Sequence, residues 1–153
     1  TADGLSSTRS FEVLVVEDGT ENIASYLGNK ATSSSTENDS GIFGANRILD
    51  EDAETRWSSA PSGSAWVEID LTRRYRVGRV VLDWEASFAR EYTVSGSVDG
   101  KNWKTLCNVS ESDGERDELN FVQETIRFIR INCRERVNSR WGYSLYEAKV
   151  YEK

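Results

Sequence analysis

Short segments in which apolar and polar residues alternate recur along the chain, and no window shows a sustained period of 3.6 residues. A period of two places one face of a β-strand against a core and the other in solvent. Turn signals separate the segments, of which Asp99-Gly100 is typical of a hairpin. An all-β sandwich or barrel is therefore predicted. The predicted strands are 11–16, 66–71, 77–84, 92–98, 103–109, 125–133 and 145–151.

The size and charge of the chain narrow its function. Its 153 residues fit one domain, and five Trp, six Tyr and five Phe favour β-structure. A net charge of -7 argues against binding to nucleic acid or to anionic membranes, which need clustered basic residues. Two cysteines without any histidine make neither a zinc site nor a Cys–His nucleophile. Cys107 and Cys133 are either two buried thiols or a disulfide.

Residues 1–21 differ from the rest of the chain. They contain one strand-like segment, Arg9 to Val16, followed by the polar Glu17-Asp18-Gly19-Thr20. We expect the last strand of a preceding immunoglobulin-like module plus its linker here, and the main domain at 22–153. The alternative is that this strand joins the same sandwich. Because the chain starts at Thr1 and has no methionine, it is expected to be a piece of a longer polypeptide.

An acidic segment, Asp50 to Trp57, carries four carboxylates and a hydroxyl ahead of a tryptophan. Calcium takes about six to eight oxygen ligands, and an acidic turn supplies several at once. The segment does not match the EF-hand pattern, since Pro61 stands where the twelfth-position glutamate belongs. A structural calcium is one interpretation, and a solvated acidic turn is the other.

A polar loop from Thr32 to Gly44 is a second candidate for a functional segment. It contains a run of serines and threonines, then Glu37-Asn38-Asp39, then the apolar pair Ile42-Phe43. Long loops on a rigid sandwich often carry binding groups, although a mobile serine-rich connection is equally compatible with the composition.

Several motifs in order resemble one family. They are DEDAETRWSSA, WVEIDL, VGRVVLDWEASFAREYTVSGSVDGKNW, RFIRI and WGYSLYEAKVY. Together they are similar to the discoidin, or coagulation-factor type-C, domain in its bacterial form, carbohydrate-binding module family 32, with modules of chitosanases and β-glucanases looking closest. The resemblance runs from about Asn22 to Tyr151. It implies an eight-stranded jelly-roll β-sandwich of the galactose-binding-domain type, with its termini together at one end and its ligand loops at the other.

The resemblance also implies a calcium site. In such domains the acidic turn and a glutamate near the C-terminus hold a structural Ca²⁺, and a site of this kind would join two distant segments. The turn here departs from the family in having Glu51 where glycine is usual. The implied ligands are the carbonyl of Arg47 together with Asp50, Asp52, Thr55 and Glu147.

The ligand loops of the family correspond to residues 33–43, 85–90 and 134–142. Trp141 follows a polar stretch and is favoured as an exposed platform for a sugar ring, whereas Trp57, Trp66, Trp84 and Trp103 are favoured as core. Tyr143 is open between the two, and Arg136 and Asn138 are either sugar contacts or ordinary surface residues. The expected sugar-binding residues are Glu37, Phe43, Glu85, Arg136, Asn138, Trp141 and Tyr143.

The predicted function is non-catalytic binding of a polysaccharide or oligosaccharide. Galactose is doubtful because relatives that bind it use a histidine, whereas Glu37 and Glu85 in one pocket would suit the ammonium groups of glucosamine. A β-glucan is the other glycan considered. The expected partners are such a glycan and a catalytic domain in a larger secreted or cell-surface protein. Rival functions are a glycosidase using that carboxylate pair and an adhesion module for proteins or phospholipid head groups.

Overall fold

The structure, a computed structural model, describes residues 19–153. This part of the chain contains seven antiparallel strands. The strand predicted at 11–16 lies outside this range. Four 3₁₀ turns, Ile23–Ser25, Glu37–Asp39, Gly41–Phe43 and Ala45–Leu49, precede most of the sheet. The strands are β1 (Lys30–Ser33), β2 (Trp57–Ser58), β3 (Ala65–Trp84), β4 (Ala89–Ser97), β5 (Lys104–Val109), β6 (Arg116–Arg136) and β7 (Ser144–Glu152).

Two long strands, β3 and β6, belong to both layers of the sandwich. The first half of β3 pairs with β1 and with the end of β6, which continues to β4 and β5. The second half of β3 pairs with β7 and with the start of β6. Between the halves the register shifts from Asp70 to Tyr75, and Thr72 has a φ of 68°. The strands predicted at 66–71 and 77–84 are therefore the two halves of one bent strand.

The predicted all-β jelly-roll sandwich is confirmed, although seven strands are assigned rather than eight. β1, β2 and the first half of β6 were missed. β2 has only two residues, β1 is polar, and the start of β6 is charged on its outer face, with only Leu119 and Phe121 packing against the core. Short or highly charged strands carry little periodic signal, because their place in the sheet is fixed by neighbours and not by their own pattern.

The core lies between the two layers and contains the inward residues of each strand. Trp57 is fully buried and Trp84 nearly so, as predicted. Trp66 and Trp103 are half-buried instead, with their rings 4.2 and 4.8 Å from the guanidinium carbon of Arg130. Trp66 faces outward because Val67 and Ile69 occupy the inward positions of the same strand segment, and Trp103, directly before β5, contacts the same arginine.

Both cysteines are free thiols, so the disulfide alternative is excluded. Cys133 is buried at the end of β6, and Cys107 is partly buried in β5. Burial raises the pKa of both thiols because it disfavours the thiolate.

The chain enters the described domain beside its C-terminal strand. The Gly19 amide donates a hydrogen bond of 2.8 Å to the carbonyl of Glu152 at the end of β7. The boundary between residues 21 and 22 stays a prediction. Within residues 19–153, no helix is long and apolar enough to cross a bilayer.

Candidate functional site

The loops at one end of the sandwich enclose a cleft of about 330 Å³. They come from the three sequence regions expected to carry ligand contacts and from residues 56–61, in and around β2. Four of the lining side chains are charged, several are small and polar, and one is aromatic. The lining residues are Glu37, Asn38, Arg56, Ser58, Ser59, Pro61, Glu85, Ala86, Ser87, Arg140, Trp141 and Gly142.

Trp141 forms an aromatic wall of the cleft and is 49% exposed. Its loop is held by backbone contacts from two side chains predicted to touch sugar. Arg136 Nη1 donates to the carbonyls of Ser139 and Trp141 at 3.0 and 3.1 Å, and Asn138 Oδ1 accepts from the Arg140 amide at 2.8 Å. Neither Arg136 nor Asn138 lines the cleft, and both hold the loop that carries Trp141. Their contact with a sugar stays a prediction.

A close backbone contact fixes the other side of the Trp141 loop. The Ser59 amide donates to the Tyr143 carbonyl, and the Tyr143 amide donates to Ser59 Oγ, both at 2.8 Å. A Cβ atom on Gly142 would lie 2.3 Å from Ser59 Oγ and 2.4 Å from the Ala60 carbonyl oxygen. Glycine is therefore required next to Trp141 for the loop to approach the segment after β2.

Tyr143, expected as a sugar contact, belongs to the core. Its side chain is fully buried, and its hydroxyl donates to the Gly63 carbonyl at 2.7 Å. Burial raises the pKa of this phenol. The expectation was wrong because residues 141–143 precede β7 and do not form a strand, so the exposure of Trp141 does not carry over to Tyr143, which turns inward.

Both predicted carboxylates line the cleft. Glu37 Oε1 accepts a hydrogen bond of 2.6 Å from Ser58 Oγ, and Glu85 Oε1 accepts one of 2.9 Å from the Ser87 amide. The Glu85 loop is tied to the start of β7, since the Glu85 amide donates to the Ser144 carbonyl at 3.1 Å and the Ser144 amide to the Ser87 carbonyl at 2.9 Å. The two acids thus come from two separate loops, and each is held in place by hydrogen bonds.

Two arginines share the cleft with these acids. Arg56, which is not among the expected sugar-binding residues, is partly buried, and its guanidinium carbon lies 4.8 Å from the centre of the Phe43 ring. Phe43 is not part of the lining, and its ring packs against Arg56. Its contact with a sugar stays a prediction. Arg140, which the sequence did not single out, is exposed at the rim. Arg56 could have been found from alternation, because its neighbour Trp57 points inward.

The acidic turn has an internal hydrogen-bond network. Asp50 accepts from the Asp52 amide at 3.0 Å and from the Thr55 hydroxyl at 2.5 Å, and Asp52 accepts from the Glu54 amide at 2.9 Å. Glu51 has a φ of 56°, the conformation that favours glycine and in which the family usually places one. Arg47 lies in the 3₁₀ turn Ala45–Leu49 directly before Asp50.

Glu147 of β7 reaches this turn from the other end of the sequence. Its Oε2 accepts from the Glu51 amide at 3.2 Å, whereas its buried Oε1 has no hydrogen-bond partner in the part of the chain that the structure describes. Burial and the nearby Asp50 carboxylate raise the pKa of Glu147 to about 8. No three His, Cys, Asp or Glu side chains converge as a metal cluster in residues 19–153. A cation here would therefore take hydroxyl and carbonyl oxygens besides Asp50 and Glu147.

Solved structures with this fold include glycan-binding modules. Chitosan-binding module 1 of a chitosanase/glucanase from Paenibacillus sp. IK-5 is 34% identical, with a TM-score of 0.78 over 85% of this chain and 98% of that one. Module 2 of the same enzyme, solved with chitotriose, is 30% identical, with a TM-score of 0.78 over 84% and 98%. A Clostridium perfringens module solved with GalNAc-β-1,3-galactose is 19% identical and shares the fold, with a TM-score of 0.74 over 84% and 96%.

A search of curated protein sequences found no match. Comparison with protein-family models does identify a family. The family model of the F5/8 type C domain matches residues 30–148, which include six of the seven strands in full and most of β7. The chain belongs to the F5/8 type C, or discoidin, family, as its motifs predicted.

Proposed function

We propose that this domain is a non-catalytic carbohydrate-binding module that holds a larger secreted or cell-surface protein on a polysaccharide. The observation that carries the proposal is the cleft in which the half-exposed Trp141 faces fixed polar groups. An indole offers a flat apolar surface to the C–H face of a pyranose, while carboxylates and guanidinium groups bond to its polar substituents.

The ligand proposed for the cleft contains glucosamine. Glu37 and Glu85 each have one carboxylate oxygen engaged by a serine, which leaves capacity to accept hydrogen bonds from an ammonium group. Two relatives at 30% and 34% identity are chitosan-binding modules, one of them solved with chitotriose. A single shallow cleft is expected to bind with a Kd on the order of 0.1 to 1 mM, because water competes for each polar contact.

Binding without catalysis fits the geometry of the carboxylates. For sugar binding the two carboxylates serve as hydrogen-bond acceptors, and each is already fixed by one contact to a serine. A glycosidase would need one acid held protonated beside a second that is ionised. The proposed role is therefore to raise the concentration of an attached catalytic domain at its substrate.

The experiment that tests sugar binding is titration of the domain with chitotriose, followed by tryptophan fluorescence. Trp141→Ala should remove most of the binding, since it deletes the platform. Trp103→Ala is the matched control, because Trp103 lies on the sheet beside Arg130 and away from the cleft. Equal loss in both variants, or none in either, would contradict the assignment of the cleft.

We also propose that a structural Ca²⁺ joins the acidic turn to β7. Glu147 Oε1 is a buried carboxylate oxygen without a partner, a costly arrangement that a cation would satisfy. Asp50, Thr55 and the carbonyl of Arg47 would complete the oxygen ligands, and Asp52 would contribute through the turn it stabilises. The ion would supply stability and no chemistry, because it would fix the turn against the last strand of the sheet.

A further inference from the structure

The cleft contains two positive groups as well as two negative ones. Arg56 and Arg140 line it together with Glu37 and Glu85, so the charges of the lining sum to zero. A polymer of glucosamine carries positive charge only. It would gain from the two carboxylates and be repelled by the two guanidinium groups, so a purely cationic ligand is complementary to half of the cleft.

The four charges do not neutralise one another. Within residues 19–153, none of the ion pairs involves Glu37, Arg56, Glu85 or Arg140. Neutral partners hold them instead: the Ser58 hydroxyl for Glu37, the Ser87 amide for Glu85 and the Phe43 ring for Arg56. Acids and bases kept apart in one small cleft remain available to a ligand that bears both signs.

Arg56 gives the clearest sign of a missing partner. Among residues 19–153 its buried Nε–H has no hydrogen-bond acceptor, although the side chain lines a polar cleft. Removing a guanidinium N–H from water without an acceptor is unfavourable. A ligand in the cleft cannot reach this buried N–H, but a carboxylate bound at the part of the guanidinium that lines the cleft would stabilise the partly desolvated charge. A carboxylate also matches the planar arrangement of the guanidinium N–H groups better than a hydroxyl does.

We infer that the preferred ligand is a saccharide in which a carboxylate-bearing sugar stands next to glucosamine. Arg56 recognises the carboxylate and thereby sets the specificity of the cleft, with Arg140 as a second contact at the rim. Glu37 and Glu85 take the ammonium group. This inference rests on the proposed glucosamine binding and adds the second half of the ligand.

The test compares two tetrasaccharides by calorimetric titration at one ionic strength: one of alternating glucosamine and glucuronate, the other of four glucosamines. The alternating ligand should bind roughly tenfold tighter, the gain expected for a charge-assisted bond to one carboxylate. Arg56→Gln should remove that preference while leaving the all-glucosamine affinity equal or higher. Arg56→Lys, which keeps the charge but not the fork, should lose most of it.

Arg90→Gln is the matched control, because Arg90 is exposed in β4 and does not line the cleft. It removes the same charge and should leave both affinities unchanged. Thermal melts of the variants show whether Arg56 also supports the fold. Arg140→Gln, at an exposed position, should keep the fold and lower the affinity for the alternating ligand.

The outcomes separate the two proposals. Equal affinities for the two tetrasaccharides in the wild type, with no change in Arg56→Gln and Arg140→Gln, would overturn the inference and leave glucosamine binding intact. Absence of binding to either tetrasaccharide would overturn the proposed function, and the inference with it. A preference for the alternating ligand that Arg90→Gln also removes would mean that net charge, and not Arg56, decides the specificity.

Discussion

Replacing Gly142 by alanine should loosen the Trp141 loop and lower the stability of the domain. The new Cβ would stand 2.3 Å from Ser59 Oγ and 2.4 Å from the Ala60 carbonyl oxygen, and a backbone oxygen cannot move aside as a flexible side chain would. Overpacking of this kind costs about 1–3 kcal/mol, and losing one Ser59–Tyr143 hydrogen bond adds about 1 kcal/mol. Alanine restores about 0.4–1 kcal/mol by restricting the unfolded chain. The expected net loss is about 2 kcal/mol.

Urea unfolding monitored by tryptophan fluorescence measures this change, and the expected shift in melting temperature is roughly 4–8 °C. Gly41→Ala is the control. Among the described residues, no atom lies within 4 Å of the position that its Cβ would take, and Gly41 begins the 3₁₀ turn Gly41–Phe43. This variant should leave the stability unchanged or raise the free energy of unfolding by up to about 1 kcal/mol, because alanine restricts the unfolded chain here too. If Gly142→Ala is as stable as Gly41→Ala and keeps its glycan affinity, the close contact that fixes Trp141 does not exist.

Two further predictions concern the charged groups. The hydrogen bonds from Arg127 lower the pKa of Asp70 below 3.8, so the stability that this pair contributes is complete above that pH and is lost as the pH falls through the folded-state pKa. The fall in the free energy of unfolding between about pH 5 and pH 3 should be smaller in Asp70→Asn than in the wild type by about 0.5 kcal/mol, a small value because Arg127 is 40% exposed. Urea unfolding at the two pH values measures this, and an equal fall in both proteins would contradict it. Chelation with EDTA should lower the melting temperature of the wild type and not that of Glu147→Gln, whereas equal responses would exclude calcium at Glu147.

The fold could be predicted from the sequence because alternation in 66–71, 77–84 and 145–151 matches the inward and outward positions of β3 and β7. What alternation could not give is that Leu71 to Tyr75 bends one strand and does not end it. The polar run Thr72-Arg73-Arg74 looks like a turn, but its backbone stays in the sheet through a register shift. Pairing with β6 on both sides decides this, and such long-range pairing leaves no local signature.

Some residues of the cleft could be named from the sequence, because local pattern indicates exposure, although their role in binding stays a prediction. Trp141 was placed on the surface by its polar neighbours, and Glu37 and Glu85 by their loops, and all three line the cleft. Tyr143 and Trp141 stand in one short motif, yet the first is buried and the second half-exposed, and the contacts that fix them, of Gly142 with Ser59 and of the Tyr143 hydroxyl with Gly63, join distant segments. Contacts between segments far apart in sequence, such as Glu51 with Glu147, lie beyond what residue spacing can show.

The central claim, that fixed carboxylates beside Trp141 bind an amino sugar, is tested most directly by one comparison. Chitotriose and its fully N-acetylated counterpart differ only in the charge and bulk of their amino groups. The wild type should bind chitotriose at least roughly tenfold tighter, and Glu85→Gln should remove most of this difference because the charged acceptor is lost. Equal affinities for the two trisaccharides, or a preference that survives in Glu85→Gln and Glu37→Gln alike, would contradict the account.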